Sequence, residues 1–422
     1  MPIDDSSPQT CLNRAVDLLK SGRLEEALAS YDRALALDPK NARAWKNRGT
    51  LLLQLGKLKE SVESFDQAIT LRPNYPDAFN NRGSALHHQK RLTEALASFD
   101  QAIALRPGFT NAIFNRGMAK LLDGNFREGW HEYAWRWMLD GIPSMSLTDD
   151  ARVWRGEELN GRSIAIYTWK QGFGDVIQFA RYLPLLVRRG AKVTLQTRAR
   201  FLRLLRPLLS EIDCVTSLDG RGPFEFCCPL MDLPLGFETH LSSIPSEVPY
   251  LEAERDQVLR WKNLLGTHGF KIGIGWQAEP SQDGGRSVPL AEFIPLSRLA
   301  GVRLVSLQKN HGLDQLAALP AAAVEVPGDK FDDGHDAFID TAAIMANLDL
   351  IITADISIAH LAGALGRPVW VALKHVPDWR WLLDLNDCPW YPTMRLFRQQ
   401  ESCDWSAVFV QIEHELRSLL EI

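Results

Sequence analysis

Two patterns of apolar and polar positions divide the chain. Up to about residue 137, small and apolar residues recur at helical spacing, and the pattern returns every 34 residues. Pro39, Pro73 and Pro107 keep that step, as do Ala34, Ala68 and Ala102, and Tyr31, Phe65 and Phe99. Gly49, Gly83 and Gly117 repeat at the same interval, with Ala15 one step earlier. Such a period predicts helix–turn–helix units stacked into a solenoid. The small residues then mark close approach of paired helices, and the aromatics are expected to fill the space between neighbouring pairs. Each proline closes a second helix, because proline cannot continue one. Units are expected at 8–41, 42–75 and 76–109, with a degenerate fourth over 110–140. That last unit turns aromatic from Phe126 to Trp137 and is expected to dock against the next domain.

After a polar, proline-containing stretch at 141–150 the period changes. Apolar runs at 163–169, 192–196, 271–276, 303–307, 324–326, 350–353 and 368–373 read as buried strands. Helical patterns lie between them, at 175–189, 201–209 and 254–265, and a last one at 405–420 closes the chain. Strands alternating with helices predict βαβ units and parallel sheets. The expected fold class is therefore an α-helical solenoid (1–140) followed by an α/β module of two Rossmann-like doubly wound domains, 141–265 and 266–422. Tandem domains of this kind place a cleft at the carboxyl ends of their strands.

Composition narrows the function classes. Of 422 residues, 45% are hydrophobic and 23% charged, and the formal charge of −5 is spread along the chain. No basic stripe suggests nucleic acid as a partner. No run reaches the roughly 18 apolar residues of a membrane span. The acidic, polar start does not read as a secretory signal. Cys11, Cys214, Cys227, Cys228, Cys388 and Cys403 form no C-x-x-C pair, so they read as thiols of a reducing, cytoplasmic compartment. His87-His88 reads as surface, since adjacent helical residues point apart. No metal or cofactor is expected.

Three loops carry candidate chemistry. Gln171-Gly172-Phe173-Gly174-Asp175 follows a strand and opens a helix. Its Gly172 and Gly174 let the backbone take positive φ and approach a ligand. Ile177 replaces the last glycine of G-x-G-x-x-G, which argues against a nicotinamide- or flavin-dependent oxidoreductase. Asp175 reads equally as a carboxylate at the cleft mouth and as a helix N-cap. Asp355, Ser357 and His360 span a second strand-to-helix junction, where free N–H groups suit phosphate. Capping by Asp355 or Ser357, or a core role for His360, competes with that reading. Arg286 and Ser287 lie on a glycine loop suited to a phosphate clamp or to plain solvation, and Lys309 ends the following strand. In the repeats, Asn47, Asn80, Asn81 and Asn115 read as peptide-clamping or as solvated face residues.

The 34-residue units resemble tetratricopeptide repeats, arrays that bind peptides or proteins or act as rigid spacers. Residues 163–405 resemble the C-terminal half of bacterial repeat proteins related to glycosyltransferase family 9, the lipopolysaccharide heptosyltransferases. The resemblance rests on the runs at 172–184, 357–371, 377–383 and 389–397. The layout is also similar to O-linked N-acetylglucosamine transferases, in which repeats present a protein acceptor to a GT-B enzyme. The resemblance implies a metal-independent transferase using a nucleotide-diphosphate sugar, with a protein or glycan acceptor held by the repeats. By it, Asp175 is the general base, Arg286 and Lys309 neutralise the leaving diphosphate, and Asp355, Ser357 and His360 line the donor site. Ile356 stands where the family usually has threonine. A non-catalytic scaffold, with repeats binding a partner and a degenerate transferase module, is the competing expectation.

Overall fold

The computed structural model describes residues 7–139, 151–168, 171–320, 323–328 and 331–422. The expected linker at 141–150 and Trp169 of the first expected strand lie outside these residues. The chain divides into two compact units, Met1–Met145 and Ser146–Ile422.

The first unit is a solenoid of eight consecutive helices: α1 Pro8–Lys20, α2 Leu24–Leu37, α3 Ala42–Gln54, α4 Leu58–Leu71, α5 Pro76–His88, α6 Leu92–Leu105, α7 Thr110–Leu122 and α8 Phe126–Tyr133. The period has a steric cause. A Cβ on Gly49 would meet the Phe65 ring at 2.8 Å, and one on Gly83 the Phe99 ring at 2.6 Å. Each aromatic therefore packs against the glycine of its own helix pair, and it also shares a core cluster with the next pair, Phe65 and Phe99 with Ala85, Leu86 and Ala119, as the spacing suggested. In the fourth unit a Cβ on Gly117 would meet the Tyr133 backbone nitrogen at 2.7 Å. A ring can tilt but backbone cannot. Gly117→Ala is therefore expected to lower repeat stability by about 1–3 kcal/mol despite alanine's better helix propensity, read as a shifted urea midpoint.

An arginine ladder shares the period. Arg48 donates to Asp32 (2.7 Å) and Ser64 (2.7 Å), and Arg82 to Asp66 (2.6 Å) and Ser98 (2.8 Å). Arg116 reaches Asp100 and Glu132. The asparagines are tied to one another: Asn81 donates to Thr50, Asn80 to Asn81, and Asn115 to Asn80. The aromatic end of the array packs on itself, with Phe126–Trp130 ring centroids 5.5 Å apart and Trp130–Tyr133 6.2 Å apart.

The second unit holds two sheets. The first has strands β1 Arg152–Val153, β2 Ser163–Tyr167, β3 Lys192–Gln196, β4 Asp213–Val215 and β5 Phe226–Pro229. Their order is β1-β5-β2-β3-β4, all parallel. The second has β6 Phe270–Gly275, β7 Val302–Ser306, β8 Leu350–Ala354, β9 Val369–Leu373, β10 Asp387–Cys388 and β11 Tyr391–Arg398, ordered β10-β11-β9-β8-β6-β7. Only β10 runs antiparallel among them. The helices are α9 Phe173–Ala180, α10 Leu183–Arg188, α11 Leu202–Leu205, α12 Leu233–Gly236, α13 Arg255–Leu265, α14 Ile339–Met345, α15 Ser357–Ala364 and α16 Trp405–Leu420. One core lies under the second sheet, where Ile272, Ile274, Leu304 and Ile352 meet Phe409 and Ile412 of α16.

Three expectations change. The helix read over 175–189 is two helices, since Pro184 in the first turn of α10 has no N–H to continue α9. The helix read over 201–209 is the short α11 flanked on both sides by 3-10 turns. The strand read at 324–326 is a single bridge from Glu325 to Val305. Among the described residues no helix is long and apolar enough to cross a membrane.

Candidate functional site

The turns that follow β2, β6, β7, β8 and β9 all open on one cleft of about 720 Å³. Ligands of parallel sheets bind at such carboxyl ends, where backbone amides and helix starts converge. Gly172, Gly174, Asp175, Arg286, Lys309, Asp355, Ser357 and His360 line it together. Ser287 does not. Its hydroxyl donates to Asp283 Oδ1 (2.6 Å) and accepts from the Ala278 N–H (2.9 Å), so it is spent inside its own loop. The expectation that Ser287 contacts a donor is corrected accordingly.

Asp175 sits at the third position of α9, not at its N-cap, which is Gly172. Its Oδ2 accepts from the Gly172 N–H at 3.3 Å, the half of a capping box that closes a helix start. Its Oδ1 accepts from Arg380 Nη2 at 2.5 Å. Arg380 is buried and forks: Nη1 donates to Asp378 Oδ1 (2.8 Å) and Nε to Gln178 Oε1 (2.6 Å). Its guanidinium lies over the rings of Trp379 (4.5 Å) and Phe179 (5.5 Å). One side chain thus ties α9 to the loop after β9.

The glycines have another purpose than the one their spacing suggested. Gly172 has φ −67, and Gly174 is not among the residues with positive φ. A Cβ on Gly174 would meet His360 Cδ2 at 2.7 Å. Gly174 lets the starts of α9 and α15 touch. His360 is buried, stacked on Trp381 (centroids 5.3 Å apart), with Nδ1 at 3.1 Å from the Tyr391 hydroxyl. Burial, then the Arg380, Arg181 and Arg286 guanidiniums, push its pKa well below the usual histidine value, so the ring is neutral.

Neither Asp355 nor Ser357 caps α15. The N-cap is Ile356, which offers no side-chain acceptor to the first-turn N–H groups. Asp355 is buried, and burial followed by the nearby Asp378 charge raises its pKa to about 6. Arg286 follows Gly284 and Gly285, both at positive φ, and donates to the Gln282 and Asp283 carbonyls of its own loop. Lys309 donates to the Phe331 carbonyl.

Residue types alone did not reveal several participants. Arg380 and Asp378 belong to the run at 377–383, but the pairing of Arg380 with Asp175 spans most of the unit and leaves no local mark. Arg198 and Arg200 also line the cleft, their guanidiniums 5.4 and 5.6 Å from the centre of the Phe173 ring. Among the described residues Arg198, Arg200, Arg286 and Lys309 have no carboxylate within ion-pair distance. Four such cations around one cleft suit an anionic ligand. Among the described residues no group of three or more His, Cys, Asp or Glu side chains is placed to hold a metal ion.

Residues 12–76 and 51–108 match the family model of the tetratricopeptide repeat, and the N-terminal helices form such an array. Protein FlbA of Caulobacter vibrioides is 26% identical over 323 residues, covering 70% of this chain and 53% of FlbA. The chain spans about half the length of that curated relative, and the match is longer than the repeat unit alone. The second tetratricopeptide domain of human RPAP3, solved with an HSP70 peptide, is 30% identical (27% of this chain, 98% of that one, TM-score 0.26). YrrB, described as having an unusual peptide-binding site, is 28% identical (32% and 71%, TM-score 0.29). MamA is 21% identical (31% and 77%, TM-score 0.30).

Proposed function

We propose that the two sheets form a GT-B glycosyltransferase, which moves a sugar from a nucleotide-diphosphate donor to an acceptor recruited by the repeats. One observation carries the reading: a carboxylate at the start of α9 and an uncapped helix start at α15 share a cleft that Arg198, Arg200, Arg286 and Lys309 also line, none of the four with a carboxylate at ion-pair distance among the described residues. Transfer needs a base for the acceptor hydroxyl and stabilisation of negative charge on the departing diphosphate. Asp175 supplies the first. The α15 start, Arg286 and Lys309 supply the second once they leave the carbonyls they now hold. Arg380 holds the Asp175 carboxylate in its orientation through the hydrogen bond to Oδ1.

Asp175→Asn is expected to cut transfer by about 10²–10⁴-fold, with nucleoside-diphosphate affinity within about twofold of wild type. Turnover close to wild type removes Asp175 from the mechanism. The second reading is a non-catalytic scaffold. It is favoured by the engagement of Arg286 and Lys309 with main-chain carbonyls, which leaves neither poised for phosphate. Calorimetry against a panel of nucleoside diphosphates separates the two, because the scaffold gives no heat with any of them.

A further inference from the structure

Tyr391 opens β11 with its ring fully buried, and a Cβ on Gly363 would lie 2.4 Å from that ring. The glycine lets the phenol slide beneath α15, where its hydroxyl meets His360 Nδ1 at 3.1 Å. The Arg181 guanidinium lies 4.4 Å from the Tyr391 ring centre. Tyr250, the neighbouring phenol, is engaged on both sides: its hydroxyl accepts from Arg181 Nη2 (3.0 Å) and donates to the Ile177 carbonyl (3.0 Å).

This arrangement decides where the imidazole carries its proton. A neutral histidine has one N–H and one bare nitrogen. A buried phenolic hydrogen needs an acceptor, and leaving it without one costs about 1–3 kcal/mol. Tyr250 is the competing acceptor within reach, but its hydroxyl already accepts from Arg181 and gives its own hydrogen to the Ile177 carbonyl. His360 Nδ1 is the acceptor in line. Tyr391 therefore donates to Nδ1, and the imidazole proton sits on Nε2. That edge of the ring lies beside Gly174, 3.4 Å from where its Cβ would stand, and His360 and Gly174 both line the cleft.

We infer that His360 is held as a neutral Nε2–H hydrogen-bond donor to an anionic oxygen of the cleft ligand, with Tyr391 as the residue that positions its proton. The inference rests on the transfer reading only for the ligand, a phosphate oxygen over the start of α15. Histidine so held is neither a general base nor a cation. It adds one directed donor to a helix start whose N-cap supplies no acceptor. Burial first, and then the charges of Arg380, Arg181 and Arg286, keep a second proton off the ring.

The test begins on the free, full-length protein with ¹⁵N-labelled histidine, assigning His360 by the signals lost in His360→Gln. A pyridine-type Nδ1 and a pyrrole-type Nε2, unchanged from pH 8 to pH 5, are expected. A pyrrole-type Nδ1, as when Tyr391 donates to Tyr250 instead, or an imidazolium titrating in that range, overturns the inference. Tyr391→Phe keeps the ring and removes the hydroxyl. It is expected to loosen the tautomer preference and weaken binding of ADP, GDP or UDP, whichever binds wild type, by about tenfold. Unchanged nucleotide affinity in Tyr391→Phe overturns the role as ligand donor. If no nucleoside diphosphate binds wild type, the transfer reading falls and takes the phosphate ligand with it. The tautomer spectrum then decides the proton's place alone.

Discussion

Arg380→Ala lowers the stability of the second unit by about 3–5 kcal/mol, the expected cost of breaking a buried ion pair by removing one partner. Arg380 is buried, and Asp175 and Asp378 both lose their cation when it goes. The Gln178 carbonyl oxygen loses its donor as well, and the space between Phe179 and Trp379 empties. Arg380→Lys rescues only in part, because a single ammonium cannot match a fork that serves three side chains. In a urea titration the second unit's transition moves to lower denaturant while the repeat transition stays in place. The pair Asp175→Asn with Arg380→Met is expected to lose less than the separate losses combined, since Asp378 alone is then left without its cation. A loss below about 1 kcal/mol for Arg380→Ala means that packing, not this tie, holds α9 against the loop after β9.

How legible these features are in the sequence depends on how far apart the interacting residues lie. The repeats are legible because every unit solves the same local problem: a glycine or alanine faces an aromatic 16 residues later, as Gly49 faces Phe65. The recurrence exposes the geometry. In the second unit, β8 and β9 are fully buried apolar runs and β6 is nearly so, and all three read as strands. β5, which lies between β1 and β2, escaped notice. Its four residues, Phe-Cys-Cys-Pro, show no alternation and end in proline. At the cleft, topology brings together whatever ends the strands, so Asp175, Arg286, Lys309 and Asp355 were named from sequence. Reasons that run between distant segments were not. Gly174 is small because of His360, Ser287 is consumed by Asp283, and Arg380 answers Asp175 across more than two hundred residues.

Asp355→Asn is expected to do the opposite of Arg380→Ala and stabilise the ligand-free protein at neutral pH. The folded state holds the Asp355 proton up to about pH 6, whereas the ordinary carboxyl value is 3.8. Below about pH 4 both folded and unfolded chains carry the proton, and neutral Asp355 costs the fold little. As pH rises through that window the unfolded chain releases its proton first, so stability falls until the folded carboxyl ionises near 6, then levels. Two pKa units correspond to about 3 kcal/mol, an upper bound for a group with polar neighbours. Asparagine removes the charge that burial and Asp378 oppose, so the variant gains about 1–3 kcal/mol at pH 7. Its advantage over wild type shrinks towards pH 4. Urea midpoints at pH 4, 5, 6 and 7 read this directly. A variant no more stable than wild type at pH 7 means that the Asp355 carboxylate is already well solvated or paired. With the expected gain, the cleft keeps an ionised aspartate that its fold disfavours, as sites do when a charge serves a ligand rather than stability.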